Sequence, residues 1–298
     1  MRKQQDFNNY DTDNIKTEAI VPENEYKEDE DVQMTFRIDS CPAQIESGVS
    51  SVIGSRSVQQ DAARADSDYM YLDKNVFLAV MCDGMGGMNG GEKASKLCVT
   101  KMFEAFYCVD VNGKVPEFFK FMVTNVDKMI YNLTDDNGNS IKSGSTLTSV
   151  IIEGKNLYWV SVGDSRIYLK RKDEMVCVTT DHNYAMVLEQ KVKKGLISAE
   201  EAKANPEREA LVSYMGMGGL EYIDINPNPV ELIDGDCILL CSDGLYRALS
   251  TEEIKSVIDS FDDIQTAAEA LTAAALAKGK RNQDNTTAVL LKYVENKD

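Results

Sequence analysis

Histidine is almost absent from this 298-residue chain, where His182 stands alone. That excludes His-rich metal sites and Ser-His-Asp hydrolysis in their ordinary forms. The seven cysteines are odd in number, contain no C-x-x-C pair and lie mostly in apolar runs. A disulfide framework and a zinc site both fit that pattern poorly; reduced, core-packed thiols in a cytoplasmic protein fit it well. No run of about 18 apolar residues occurs, so no membrane span is expected. Residues 1–10 are polar, unlike a secretory signal with its apolar middle. Positive charge is short too. The chain has 32 Lys and Arg against 49 Asp and Glu, a net −17, and its basic residues are scattered. Such a surface repels nucleic acid and anionic lipid, and neither is an expected partner.

The length suits one large domain or two small ones. Residues 1–33 hold four Lys or Arg and ten Asp or Glu, with few large apolar side chains. They bury too little to offset their ordering entropy, so residues 1–40 are expected to form a disordered acidic tail. Residues 41–298 read as one folded domain. Within it, the apolar run at 75–82 suits a strand buried on both faces and ends at Asp83-Gly84. Ala94, Leu97, Cys98, Met102, Ala105 and Phe106 form the apolar stripe of a helix over 92–107. A second helix spans 116–133, with Pro116 in its first turn.

The period then changes to two. Strands are expected at 145–152, 156–162, 167–170 and 175–179, followed by a helical and irregular insert at about 180–210. Further strands are expected at 221–225, 236–241 and 286–293, and helices from 251 and over 264–277. Strand runs set between helix pairs indicate an α+β fold with antiparallel sheets covered by helices.

Four acidic residues share one context, the end of an apolar strand: Asp83, Asp164, Asp243 and Asp284. One such Asp is ordinary turn chemistry. Four imply convergence, because strands stacked in one core bring their ends together. Convergent carboxylates repel unless cations lie between them, and an all-oxygen donor set favours Mg²⁺ or Mn²⁺. Two dications about 4 Å apart repel by roughly 17 kcal/mol at an effective dielectric near 20, so several carboxylates are needed to hold a pair. A bridged pair suits phosphate-ester hydrolysis, which is extremely slow uncatalysed. The glycine-rich stretch at 84–91 lacks a P-loop lysine, since Glu92 stands there, and Asn89 breaks a dinucleotide fingerprint. It reads as a permissive turn beside an ion.

Asp83-Gly84-Met85-Gly86-Gly87, Gly144-Ser145-Thr146, Val162-Gly163-Asp164-Ser165-Arg166, Ser242-Asp243-Gly244-Leu245 and Asp284-Asn285-Thr286-Thr287 follow one another in that order. Arg56-Ser57-Val58-Gln59-Gln60-Asp61 precedes them, and Thr179-Thr180-Asp181-His182-Asn183 lies among them. Together they resemble the metal-dependent Ser/Thr phosphatases of the protein phosphatase 2C type, in their bacterial form, over about residues 45–294. The resemblance implies a four-layer α-β-β-α sandwich with a flap at about 180–210. It implies two Mn²⁺ or Mg²⁺ ions, with room for a third. Asp83 would bridge the two, with the Gly84 carbonyl on one side and Asp243 and Asp284 on the other. Asp61 would support the water around the metals, Arg56 would grip the substrate phosphate, and Asp164 would hold the third ion with Asp243. A metal-activated water would attack phosphorus directly.

The implied substrates are phosphoserine and phosphothreonine in proteins, with a Ser/Thr kinase as counterpart and a monomeric enzyme. Met85 stands where eukaryotic members carry histidine, Gln59 where Asn is usual, and Asn205-Pro206 where His-Pro is usual. Two other readings are an anti-sigma-antagonist phosphatase of the same fold and a catalytically dead phosphoprotein-binding module. Arg56 and the sequence at 180–183 disfavour the first. The presence of all five aspartates (Asp61, Asp83, Asp164, Asp243 and Asp284) disfavours the second.

Overall fold

Alternate side chains of a strand face opposite ways, and in this protein both ways lead into apolar surroundings. In β3 (Val76–Gly86), Leu78, Val80 and Cys82 enter one cluster while Phe77, Ala79 and Met81 enter another. β11 (Cys237–Cys241) and β12 (Thr286–Glu295) divide likewise, with Leu239 and Leu290 on one side and Leu240 and Val289 on the other. The cluster shared by all three strands is the seam between two sheets. The computed structural model describes residues 43–67, 76–86, 90–135, 137–279 and 281–295, so the expected acidic tail and the glycine turn at 87–89 lie outside the described residues.

One sheet runs in the order β1 (Ala43–Val52), β12, β11, β7 (Arg166–Arg171) and β8 (Glu174–Cys177). The second runs β10 (Val230–Glu231), β6 (Asn156–Val162), β5 (Leu147–Glu153), β3 and β2 (Asp61–Ser67). β4 (Ser143–Ser145) pairs with β3, and β9 (Asp224–Ile225) with β6. All these pairings are antiparallel. Helices α1 (Gly90–Cys108) and α2 (Val115–Tyr131) cover the second sheet through Met102, Phe106, Phe118 and Phe119. Helices α5 (Asp243–Tyr246), α6 (Thr251–Asp259) and α7 (Ile264–Ala277) cover the first through Leu245, Ile254 and Leu271. The expected order of layers, helices on sheet on sheet on helices, is the one observed.

The insert contains α3 (Tyr184–Lys193) and α4 (Ala199–Ala204), the latter opened by a Ser198–Glu201 capping box. Two details differ from the sequence reading. The strand expected at 221–225 pairs only at Asp224–Ile225. Just before it, the Ser213 hydroxyl takes the place of a ladder, donating to the Tyr222 carbonyl at 2.8 Å. β1 and β2 were not anticipated, because β1 is polar and broken by Gly48. β1 nonetheless pairs along its whole length with β12, and the hydroxyls of Ser50 and Ser51 are satisfied by Thr272 and Thr287. Among the described residues no helix is long and apolar enough to cross a membrane, and the described cysteines are free thiols.

Antiparallel order has one consequence for chemistry. The C-terminal ends of β3, β6 and β11 and the N-terminal ends of β2, β7 and β12 share one edge of the sandwich. The segment after the insert is held against that architecture by Asp127 of α2. This buried carboxylate accepts the backbone N–H groups of Gly216, Met217 and Gly218 at 2.7, 2.9 and 3.3 Å. Asp127→Ala strands three donors and is expected to cost about 3 kcal/mol, read as a lower urea midpoint. An unchanged midpoint would show that water replaces the carboxylate there.

Candidate metal centre

Asp83 ends the buried part of β3 and lies directly across from Asp61, the first residue of β2. Its backbone is clamped twice by Thr146, which accepts the Asp83 N–H on its hydroxyl at 2.9 Å and donates its own N–H to the Asp83 carbonyl at 2.8 Å. Gly84 follows at a point where only glycine fits. A Cβ there would collide with the Gly91 backbone and sit 2.6 Å from the Gln60 carbonyl. From the other sheet come Asp243, just past β11, and Asp284, just before β12. Asp164 arrives in the β6–β7 turn, where Gly163 takes φ +101° against Thr146.

Anchoring of these acids is uneven, and the unevenness is informative. Asp61 Oδ2 accepts the Ser242 and Thr287 hydroxyls at 2.9 and 2.7 Å, while Asp61 Oδ1 is buried with no hydrogen-bond partner. Asp243 Oδ2 lies 3.2 Å from Arg247 Nε, while its buried Oδ1 also has none. Each of these acids has one oxygen fixed and the other bare. A buried carboxylate oxygen without a donor is costly unless a cation meets it.

Arg56 contacts Asp284 directly from the loop after β1, its side chain 59% exposed. Asn285 pins that loop: its Nδ2 donates to the Ile53 and Val58 carbonyls, and its Oδ1 accepts the Gln60 N–H at 2.8 Å. The Gln59 amide stays local, accepting the Asp61 N–H and donating to Ser51. His182 serves the base of the insert. It is 3% exposed, its Nδ1 accepts the Gly163 N–H at 3.2 Å, and burial pushes its pKa down.

The acids lie close enough to act on one another electrostatically. Burial pushes Asp83 well above the usual carboxylate range, and Asp61, Asp243, Asp164 and Asp284 add to it. Asp61 is raised to about 6, by burial first, against the pull of Thr287 and Ser242. Asp164 is also raised to about 6, by burial and then by Asp243. Burial raises Asp243 as well, with Arg247 opposing. Asp61, Asp83, Asp164, Asp243 and Asp284 lie at one edge of the sandwich, although among the described residues no group of three or more His, Cys, Asp or Glu side chains is placed so that it could hold a metal ion. The bare oxygens of Asp61 and Asp243, and the purely oxygen donor set, fit a hard dication.

Four anchoring residues had no role assigned from sequence: Thr146, Ser242, Asn285 and Thr287. Each lies within three residues of an aspartate or glycine of the motifs, and that nearness was the available signal. Arg247 was missed altogether.

The sequence profile of the family described as protein phosphatase 2C matches residues 50–279. The chain belongs to that family. Protein phosphatase PhpP of Streptococcus pneumoniae is 31% identical over 222 residues, covering 73% of this chain and 86% of PhpP. The Streptococcus agalactiae serine/threonine phosphatase superposes with a TM-score of 0.73 at 27% identity, covering 85% of this chain and 100% of that one. The catalytic domain of the serine/threonine phosphatase PstP, solved with two manganese ions, does so with a TM-score of 0.66 at 26% identity, covering 84% and 99%. This member of the protein phosphatase 2C family is accordingly an enzyme, a protein phosphatase with the sandwich fold of its relatives.

The raised pKa of Asp61 has a definite sign. Between its ordinary 3.8 and about 6 the folded chain holds a proton that the unfolded chain has lost, so stability falls as pH rises through that window. Asp61→Asn imitates the protonated form and keeps an acceptor for Ser242 and Thr287. In chelator the variant is expected to melt above the wild type at neutral pH, with the difference gone by about pH 4. Equal melting at both pH values would overturn the raised pKa.

Proposed function

We propose that this phosphatase hydrolyses phosphoserine and phosphothreonine in proteins at a centre of two Mn²⁺ or Mg²⁺ ions, held by Asp83, the Gly84 carbonyl, Asp243 and Asp284. The reading is carried by the buried, partnerless oxygens of Asp61 and Asp243, which lie at the same edge as Asp83 and Asp284. When bound, such a pair supplies an activated water for in-line attack on phosphorus and offsets charge on the phosphoryl oxygens. The chain does the positioning. Ser242 and Thr287 hold Asp61 Oδ2, leaving Oδ1 to accept a hydrogen bond from water in a fixed direction. Thr146 fixes the backbone on which Asp83 is carried.

Arg56 is the phosphate grip. Its planar fork matches phosphate oxygens, and its exposure lets it turn from Asp284 toward an incoming dianion. No histidine is available to protonate the serine or threonine alkoxide, because His182 is committed to Gly163. Water in the cleft takes that part. Next to Met85 and Gly86 a cavity of about 650 Å³ opens toward Tyr131, Lys142 and Tyr214, with room for substrate side chains flanking the phosphorylated residue. Substrates of a Ser/Thr kinase in the same cell are the natural partners. The catalytically dead alternative is disfavoured because all five acids remain.

Hydrolysis of a phosphothreonine peptide with Mn²⁺ tests the proposal. Chelator is expected to abolish it, and Asp83→Ala or Asp243→Asn to lower kcat by about 10³-fold or more. Arg56→Ala should reduce kcat/KM by roughly 10²-fold through lost phosphate binding. Turnover indifferent to chelator, or retained in both aspartate variants, would overturn it.

A further inference from the structure

We infer that the Arg247 guanidinium supplies the positive charge at the Asp164–Asp243 pair, so that this enzyme takes two ions where the family resemblance allows a third. The inference rests on the two-ion centre proposed above and concerns only its flank. Arg247 caps α5, four residues after Asp243, and spans both acids. Its Nε is 3.2 Å from Asp243 Oδ2, and its Nη2 is 3.4 Å from Asp164 Oδ2. The same Nη2 lies 3.8 Å from Glu209 Oε2 at the end of the insert. Asp164 Oδ2 receives a second donor, the Tyr246 hydroxyl, at 3.4 Å.

Tyr246 is itself immobilised. The Arg166 guanidinium lies 3.7 Å from its ring centroid and is forked onto Asp181 at 2.9 and 2.8 Å. The Asp164 carboxylate, 9% exposed, is therefore enclosed by a tethered cation and a fixed hydroxyl. A guanidinium does not lose its charge in a protein. A dication seated on the same two oxygens would meet that charge at contact distance. It would have to displace a side chain held by Asp243, Asp164 and Glu209 together.

The contact has a second effect. By occupying Asp243 Oδ2, Arg247 leaves only the bare Oδ1 for the main centre. Arg247 is thus a positioning residue that acts through Asp243, and Glu209 ties it to the insert.

Equilibrium dialysis against Mn²⁺ with elemental analysis tests this without measuring turnover. The wild type is expected to bind about two equivalents, and Arg247→Ala and the milder Arg247→Gln to gain a third, weaker equivalent. Arg247→Lys, which keeps the charge, should stay near two. Melting curves of all four proteins establish that each is folded, and if Arg247→Ala is not, Arg247→Gln decides. Three equivalents in the wild type, or no gain in a folded neutral variant, overturn the inference. A wild type that binds no Mn²⁺ removes the two-ion centre itself, a failure distinct from loss of the flank alone.

Discussion

Like charges brought together in a desolvated cleft raise one another's pKa, and every local feature at this edge of the sandwich answers to that repulsion. At about 6 Å and an effective dielectric near 20, two carboxylates oppose each other by roughly 3 kcal/mol. Such a set persists only where something offsets it. Hydroxyl donors do so at Asp61, arginines at Asp243, Asp164 and Asp284. The oxygens left over are those of Asp61 and Asp243, and their burial without donors would suit a hard cation and the water around it.

The core explains why chemistry is confined to that edge. β3, β11 and β12 are apolar on both faces because helices lie outside each sheet and the other sheet lies inside. A charged side chain within those strands would be buried whichever way it pointed. Only strand ends can carry aspartate, and antiparallel pairing gathers the useful ends. Glycine at 84 then lets the end of β3 approach α1 and the Gln60 backbone more closely than any side chain would permit.

Much of this was legible in the sequence. The run before Asp83 announces a strand buried on both faces, the stripe from Ala94 to Phe106 announces α1, and the recurrence of Asp at strand ends announces the cleft. β1 was not legible. Its serines and Gly48 carry no apolar period, and it becomes a strand only because β12 offers a complete ladder and Thr272 and Thr287 pair with the hydroxyls of Ser50 and Ser51. The strand expected at 221–225 failed for the converse reason: a side-chain hydroxyl satisfies the backbone that a neighbouring strand would otherwise satisfy. Arg247 was invisible because its meaning depends on α5, a single turn that carries no periodic signal. Without that turn, an arginine four residues from an aspartate is an unremarkable surface pair.

The acids that would grip the proposed ions come from both sheets, Asp83 from one, Asp243 and Asp284 from the other. A cation shared among them would therefore act as a rivet between the two sheets at their common edge, set beside the hydroxyl contacts that Ser242 and Thr287 already make to Asp61. Ligand-linked stability acts on whatever joins the folded parts. Here, with the proposed ions bound, its load would fall on the union of the two halves, so scarcity of manganese or magnesium would weaken the enzyme's cohesion along with its turnover.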